Sequence, residues 1–254
     1  MAHYQQLEFV AQVKRHFPAF FQGAKVLEVG SWIANATIRE QFEACDYVGT
    51  DVAEGPGVNL AVPGQDLAFP TGSFDVMVSC QCFEHNPYWL ETFLNMTRML
   101  RDGGLFVFTC AGVGRSEHGT SRRYPTSSLT ALDQQRDYYR NLSARDFESR
   151  IDVANHFSHY AFLDNHYSKD LLFVGFKRTA APDPALDRQM AVLIDAASRI
   201  TVEPGRRQTW LRALAAHSEW WVKWIVTRLM GEAAYHDTRY YLRRLVGTHT
   251  GDTQ

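Results

Sequence analysis

Glu28, Gly30 and Asp51 are the first residues of this chain whose types and spacing suggest chemistry. Gly30 follows a short apolar run, Lys25-Val-Leu-Glu-Val29. A glycine at the tip of a buried strand lets backbone approach a ligand closely. Asp51 ends a second such run, Tyr47-Val-Gly-Thr-Asp51, 21 positions after Gly30. A carboxylate at that distance can accept two hydrogen bonds from a ribose diol, each worth roughly 1.5–3 kcal/mol when charge-assisted. Alone, Gly30 reads equally well as a turn glycine and Asp51 as a capping acid; in register they point to a bound nucleoside.

The surrounding pattern supplies elements to hold them. Leu7, Phe9, Val10, Val13 and Phe17 predict an amphipathic leading helix stopped by Pro18. Strands are expected at Lys25–Val29, Tyr47–Asp51, Phe74–Cys80 and Leu105–Thr109. Helices are expected from Asn35 (as N-cap) to Phe42 and from Tyr88 to Leu100, the latter ended by Asp102-Gly103-Gly104. Ser143-Ala-Arg-Asp146 reads as a helix start. Tyr160–Leu163 and Leu171–Lys177 read as closing antiparallel strands joined by a hairpin at Asn165–Ser168. The expected fold class is α/β, a Rossmann-like, doubly wound, mostly parallel sheet with an antiparallel closing strand and a C-terminal helical extension. The stretch from Ala111 to Asn141 has no sustained period and reads as a functional loop.

Two nucleoside-binding readings compete. A nicotinamide cofactor needs G-x-G-x-x-G so that a helix N-terminus can hold the pyrophosphate. This chain has Gly30-Ser-Trp-Ile-Ala34-Asn35 instead and lacks a Tyr-x-x-x-Lys dyad. A nucleoside cofactor without phosphate fits better.

Here the chain resembles the class I S-adenosylmethionine-dependent methyltransferases, and within them the type-11 small-molecule group. Lys25-Val-Leu-Glu-Val-Gly30 is similar to the family's first motif and Tyr47-Val-Gly-Thr-Asp51 to its second. Gln65-Asp-Leu-Ala-Phe-Pro-Thr-Gly-Ser-Phe-Asp75 is similar to the segment that closes over adenine. Phe74 to His85, with Cys80-Gln-Cys-Phe-Glu-His85, is similar to the fourth motif, and Leu100-Arg-Asp-Gly-Gly104 to the turn into the next strand. The resemblance spans roughly residues 20 to 178. It departs in one place: the family's E-x-G-x-G-x-G is reduced to Glu28-Val-Gly30, with Trp32 and Ala34 at the later glycine positions.

The resemblance implies S-adenosyl-L-methionine as cofactor. Glu28, Gly30, Ser31 and Asn35 would shape the pocket around the methionine moiety. Asp51 would hold the ribose, with Val52 beside the adenine. Asp66 would accept the adenine amine and Leu67 would pack on the ring, while Cys80 and Gln81 would line the end of the fourth strand. Methyl transfer relies mainly on proximity and orientation, and a hydroxyl acceptor also benefits from a base. His85 is the catalytic candidate, with His118 second; the competing reading of His85 is a backbone-bonded structural histidine. Arg122-Arg123-Tyr124 and Tyr138-Tyr139-Arg140 are candidates for an acceptor clamp, or solvated loop residues. The implied activity is methylation of a small-molecule or sugar acceptor, on oxygen first and on nitrogen second. A non-catalytic binding module is the alternative from another class.

Composition bounds the rest. The chain has 254 residues, 45% hydrophobic and 21% charged, with formal net charge −2. That length suits a cofactor domain over residues 1–180 and, after the linker Ala180-Ala-Pro-Asp-Pro184, a helical extension over 181–254. No long basic run points to nucleic acid. The most apolar tail stretch, Trp220 to Met230, is far shorter than the ~20 residues a membrane span needs. Four of the six tryptophans lie beyond residue 200, as helix core or as a homodimer face. No metal is expected, since His156, His159 and His166 lack partners at zinc spacing. The cysteines and the absence of a signal-like N-terminus suggest a reducing, cytoplasmic setting.

Overall fold

Alternation along the strands decides the two faces of the sheet. The structure, a computed structural model, describes residues 3–132, 137–180, 184–201, 203, 225–231 and 234–238. Its elements are α1 (Tyr4–His16), β1 (Lys25–Val29), β2 (Asp46–Asp51), β3 (Leu60–Ala61), β4 (Phe74–Cys80), α2 (Trp89–Met99), β5 (Leu100–Ala111), α3 (Ala144–Glu148), α4 (Val153–His156), β6 (Phe157–Asn165), β7 (Asp170–Lys177) and α5 (Pro184–Ser198). The strands form one sheet in the order β3-β2-β1-β4-β5-β7-β6. All pairings from β3 to β5 are parallel, and β7 runs antiparallel to both β5 and β6. This is the Rossmann-like sheet expected from the sequence.

Val76 and Val78 of β4, Leu105 and Val107 of β5, and Leu172, Val174 and Phe176 of β7 face a layer built by α1 and α5. Met77, Phe106, Phe108, Leu171 and Phe173 face the opposite layer, where α2 and α3 pack. Burial on both faces is why these strands read as nearly continuous apolar runs. The second layer is an aromatic cluster. Phe93 of α2 is fully buried and its ring lies 5.1 Å from that of Phe106 and 5.3 Å from that of Phe147, centroid to centroid.

Local chemistry explains the element ends. Pro18 opens a 3-10 turn, Pro18–Phe21, where α1 stops. At Ser143 a full capping box forms with Asp146, so two free N–H groups at the start of α3 are satisfied reciprocally. In the β6–β7 hairpin, Asn165 Oδ1 accepts the N–H groups of Tyr167 and Ser168, both at 3.0 Å.

Two expectations are corrected. The helix over Asn35–Phe42 is absent, and only a 3-10 turn, Arg39–Gln41, forms there. Backbone donors in this stretch find other partners than a helix would give them: Arg39 N–H bonds the Thr37 hydroxyl, and Gln41 and Phe42 N–H bond carbonyls three residues back, those of Ile38 and Arg39. Ile38 meanwhile plugs into the α1 layer. β5 begins at Leu100 and runs through Asp102-Gly103-Gly104 rather than after it. Gly103 takes φ +69° there, and the pairing with β4 shifts register between Phe74 and Val76, a bulge rather than a break. The edge strand β3 is too short to leave a periodic signal.

Beyond residue 180, α5 packs on α1 and β6, and Met190, Leu193, Ala197 and Ile200 join the first core layer. The first helix of the expected extension therefore shares the core of the sheet. The tail tryptophans lie outside the described residues. Residues 234–238 are helical, with Tyr235 and His236 buried, and Asp237 bonds Arg123 at 2.7 Å. No helix among the described residues is long and apolar enough to cross a membrane.

The aromatic layer makes Phe93 the most demanding core position. Phe93→Ala is expected to lower unfolding stability by about 3–5 kcal/mol, read as a reduced urea midpoint with an unchanged denaturant slope.

Candidate active site

The carboxyl ends of β1, β2 and β4 open onto a cavity of about 450 Å³. β1 and β4 are neighbours, but the chain leaves them toward opposite edges of the sheet. The crevice between the departing segments is where open α/β sheets bind ligands. One wall is Gly30 to Ile38; the other is Cys80 to Tyr88.

Eight of the ten expected cofactor residues line this cavity: Glu28, Gly30, Ser31, Asp51, Val52, Asp66, Cys80 and Gln81. Leu67 and Asn35 do not. Leu67 points away into the second core layer, and its carbonyl accepts a 2.9 Å bond from Asn95. Asn35 is exposed on the irregular segment that replaces the expected helix.

Gly30 has φ +83°, and an added Cβ would lie 2.8 Å from Cys82 Sγ and closer still to Cys82 Cβ. The glycine is required by the close approach of the β4 loop as much as by any ligand. Asp51 Oδ2 accepts Trp32 N–H at 3.1 Å and Oδ1 accepts Val52 N–H at 2.8 Å. These bonds orient the carboxylate and leave each oxygen a further lone pair toward the cavity. Burial raises the Asp51 pKa, and the two backbone bonds oppose that rise. Asp66 stands exposed at the rim, placed to meet a ring amine.

Glu28 is buried at the pocket floor, and its Oε2 accepts the Tyr47 hydroxyl at 2.9 Å. Burial pushes its pKa up to about 7, against the lowering effects of the Tyr47 bond and the Arg39 charge and with a small push from Asp51. Gln81 holds φ +55°, the left-handed region that a non-glycine residue occupies at some cost. Its Nε2 donates to Thr109 and to Asp170 at 3.3 Å each, while its Oε1 has no partner. Burial pushes the Cys80 thiol up to about 12, so it is a packing group and no nucleophile.

The charge of the lining decides what fits. Among the described residues it carries three carboxylates, Glu28, Asp51 and Asp66, and no lysine or arginine. No helix N-terminus follows β1. A pyrophosphate finds no partner here. A ribose finds Asp51, a cationic amino-acid moiety finds Glu28, and Gln81 Oε1 waits for a donor. The residues present thus fit S-adenosylmethionine, a cation without phosphate.

His85 lines the cavity, fully packed behind it against Gly119, His118 and Tyr139. Burial pushes its pKa down to about 3, so at neutral pH it is an uncharged imidazole and a feeble base. His118 lies behind it, with ring centroids 5.3 Å apart, and does not reach the cavity. The arginine candidates are engaged elsewhere. Arg122 bonds Glu117 at 2.7 Å, Arg123 bonds Asp237, and Arg140 bonds Asp146 at 2.6 Å. His159 pairs with Asp187 at 3.0 Å, and His156, His159 and His166 form no metal-like group among the described residues.

Sequence reasoning missed part of the lining. Gln6 of α1, Trp32, and Ser127 to Thr130 all face the cavity. The irregular character of 111–141 marked the loop but not which residues of it would arrive. Gln6 carried no signal, since its place depends on how α1 docks.

The raised pKa of Glu28 has a pH signature. A carboxyl whose folded pKa lies above its unfolded value of about 4.5 binds its proton more tightly when folded. Its contribution is therefore complete below pH 4.5 and is lost as pH rises through 7. Arg39, Tyr47, Asp51 and Cys80 are the ionisable groups facing it. The stability of the ligand-free protein relative to Glu28→Gln should fall by roughly 3 kcal/mol between pH 4.5 and 8, at 1.36 kcal/mol per pKa unit. Paired urea titrations at each pH measure it.

The model of the family described as "Methyltransferase domain" matches residues 1–160. Among solved structures, the chain is similar to phosphoethanolamine N-methyltransferase 2 of Haemonchus contortus. That structure holds phosphomonomethylethanolamine and S-adenosylhomocysteine; identity is 18%, TM-score 0.49, with 68% of this chain and 52% of that one covered. The chain thus spans about half the length of that protein. It is also similar to 1,6-didemethyltoxoflavin-N1-methyltransferase of Burkholderia thailandensis, at 14% identity and TM-score 0.42, over 70% of this chain and 93% of that one. No curated protein matches it. With the family model covering well over half of its length, the chain belongs to the methyltransferase-domain family.

Proposed function

We propose that this enzyme methylates a small, neutral, hydroxyl-bearing acceptor, of the sugar or polyol kind, on oxygen. One observation carries the reading: among the described residues, the acceptor side of the cavity is lined by uncharged hydrogen-bonding groups and by no lysine or arginine. Asn86, Tyr88, Ser127, Ser128 and Thr130 surround it, and the nearby Arg122 and Arg123 are held by Glu117 and Asp237. A phosphorylated or carboxylated acceptor would bring an anion to a site with nothing to neutralise it, at a large desolvation cost. Hydroxyl and amide groups suit a polyol, whose every oxygen needs a partner once out of water.

The residues divide the work. Asp51 and Asp66 hold the nucleoside, and Glu28 and Gln81 the methionine end. The bound cofactor supplies the activated methyl group. The protein aligns the acceptor oxygen with it, which is the dominant gain for such a displacement. His85 borders the acceptor side as a neutral imidazole that shapes that wall of the cavity. The four cysteines are free, which suits a reducing compartment.

Isothermal titration with S-adenosylhomocysteine tests the cofactor pocket. The wild type should bind, Asp51→Ala should bind at least tenfold more weakly through its lost ribose bonds, and neither should bind NADH. Incubation with methyl-labelled cofactor and a fractionated metabolite extract tests the acceptor. The labelled methyl should appear on oxygen, by its carbon chemical shift, in a neutral product. Label on nitrogen, or in an anionic product, would overturn the acceptor reading and leave the cofactor result standing.

A further inference from the structure

Behind the cavity wall, three side chains bring ligand-capable atoms together, and two of the three have unsatisfied ones. Glu84, His85 and His118 are all buried, and one ligand-capable atom from each lies within 4.8 Å of the others. Glu84 has no exposed surface, and neither of its carboxylate oxygens accepts a hydrogen bond of normal geometry. His85 Nδ1 is also unpartnered. The His85 ring does bond the backbone of Tyr138; with Nδ1 unpartnered, that bond falls on Nε2. His118 mirrors it: Nδ1 bonds the Ser116 carbonyl at 3.0 Å, and Nε2 faces Glu84 Oε1 at 4.0 Å. That last separation is too long for a hydrogen bond.

The pattern is that of metal ligands. A ligating histidine commonly donates its outer N–H to a carbonyl, which fixes the tautomer and aims the other nitrogen's lone pair inward. Both histidines here are tied on the outside and open on the inside. A buried carboxylate whose only partners are poorly aligned backbone N–H groups, its own and that of Ala111, is costly, and a divalent cation offsets that cost directly. We propose that Glu84, His85 and His118 bind a divalent transition-metal ion of the zinc class. Two imidazoles and a carboxylate select such an ion over magnesium or calcium, which favour oxygen-only sets. Metal–nitrogen bonds of ~2.0–2.1 Å require these atoms to draw inward by about 1 Å. His118 stands on a loop and Glu84 and His85 on a single 3-10 turn, so side-chain rotation suffices.

Only His85 of the three reaches the cavity. With its inner nitrogen turned behind the wall, His85 stands between the bound ion and the cavity, and the ion would fix the ring that forms that part of the wall.

The test uses the full chain, freed of metal by chelator and dialysis. Co²⁺ is titrated and followed by visible absorption and calorimetry, with Zn²⁺ in competition and Mg²⁺ as contrast. The expected result is one Co²⁺ per chain with the absorption of a nitrogen- and oxygen-ligated site, displaced by Zn²⁺ and indifferent to Mg²⁺. Glu84→Gln and His118→Ala should each weaken binding at least tenfold, while His159→Ala should not. S-adenosylhomocysteine binding by the metal-free variants checks that they remain folded and that the cofactor pocket stands. Absence of stoichiometric Co²⁺ binding to the wild type, or binding that survives both variants, would overturn the proposal. Should Glu84→Gln fail to bind the homocysteine compound, His118→Ala alone decides.

Discussion

The winding of the sheet reverses between β1 and β4, and the rest of the molecule depends on that reversal. From β1 the chain winds through β2 to β3 at one edge; from β4 it winds through β5 toward the other. Two adjacent strands thus release their loops in opposite directions, and no backbone fills the gap between them. Gly30 on one side and Gln81 on the other both take left-handed backbone to leave their strands there. The Gly30 turn passes so close to Cys82 that no side chain is tolerated. The strands themselves are held by apolar burial on both faces, so the crevice has a stiff floor.

On that floor the electrostatics are one-sided. Glu28 is buried and Asp51 half-buried, and the pKa values of both rise because water is excluded. The positive groups nearby are kept out of the cavity: Arg39 stacks over Tyr47, and Arg122 and Arg123 are held by acids of the loop and the tail. The binding of a cation relieves the cost of the buried acids, whereas a diphosphate would add to it. This asymmetry separates a sulfonium nucleoside from a nicotinamide dinucleotide more sharply than the count of glycines does.

The acceptor side is assembled from pieces distant in the chain. α1 contributes Gln6, the β4 loop contributes His85 to Tyr88, and the loop after β5 contributes Ser127 to Thr130. His3 bonds Asp170 at 2.6 Å, which ties the start of α1 to β7 beside Gln81. Residues 234–238 in turn brace the loop through Asp237 and through the Tyr139–His236 ring contact. The site's polarity toward an acceptor is thus set by which segments meet.

The sequence by itself determined the sheet and pointed to eight of the residues that line its crevice. Apolar runs at Lys25–Val29 and Phe74–Cys80 coincide with β1 and β4. Strand identity depends on local burial pattern, and the Gly30–Asp51 spacing follows from strand length, so both are written locally. Tertiary structure decided what depends on contacts between distant residues. It withheld the helix at Asn35: Asp51 and Pro56 tie down the preceding Trp32 and Ile33 backbone, Ile38 is drawn into the α1 layer, and only the turn Arg39–Gln41 forms. It turned Leu67 into the core and brought Gln6 into the pocket. It set Glu84 and His85 against His118, more than thirty positions away, a convergence that no ligand spacing announces. Basicity was decided there too: the His85 imidazole is ordinary in sequence, and only its burial drives its pKa to about 3.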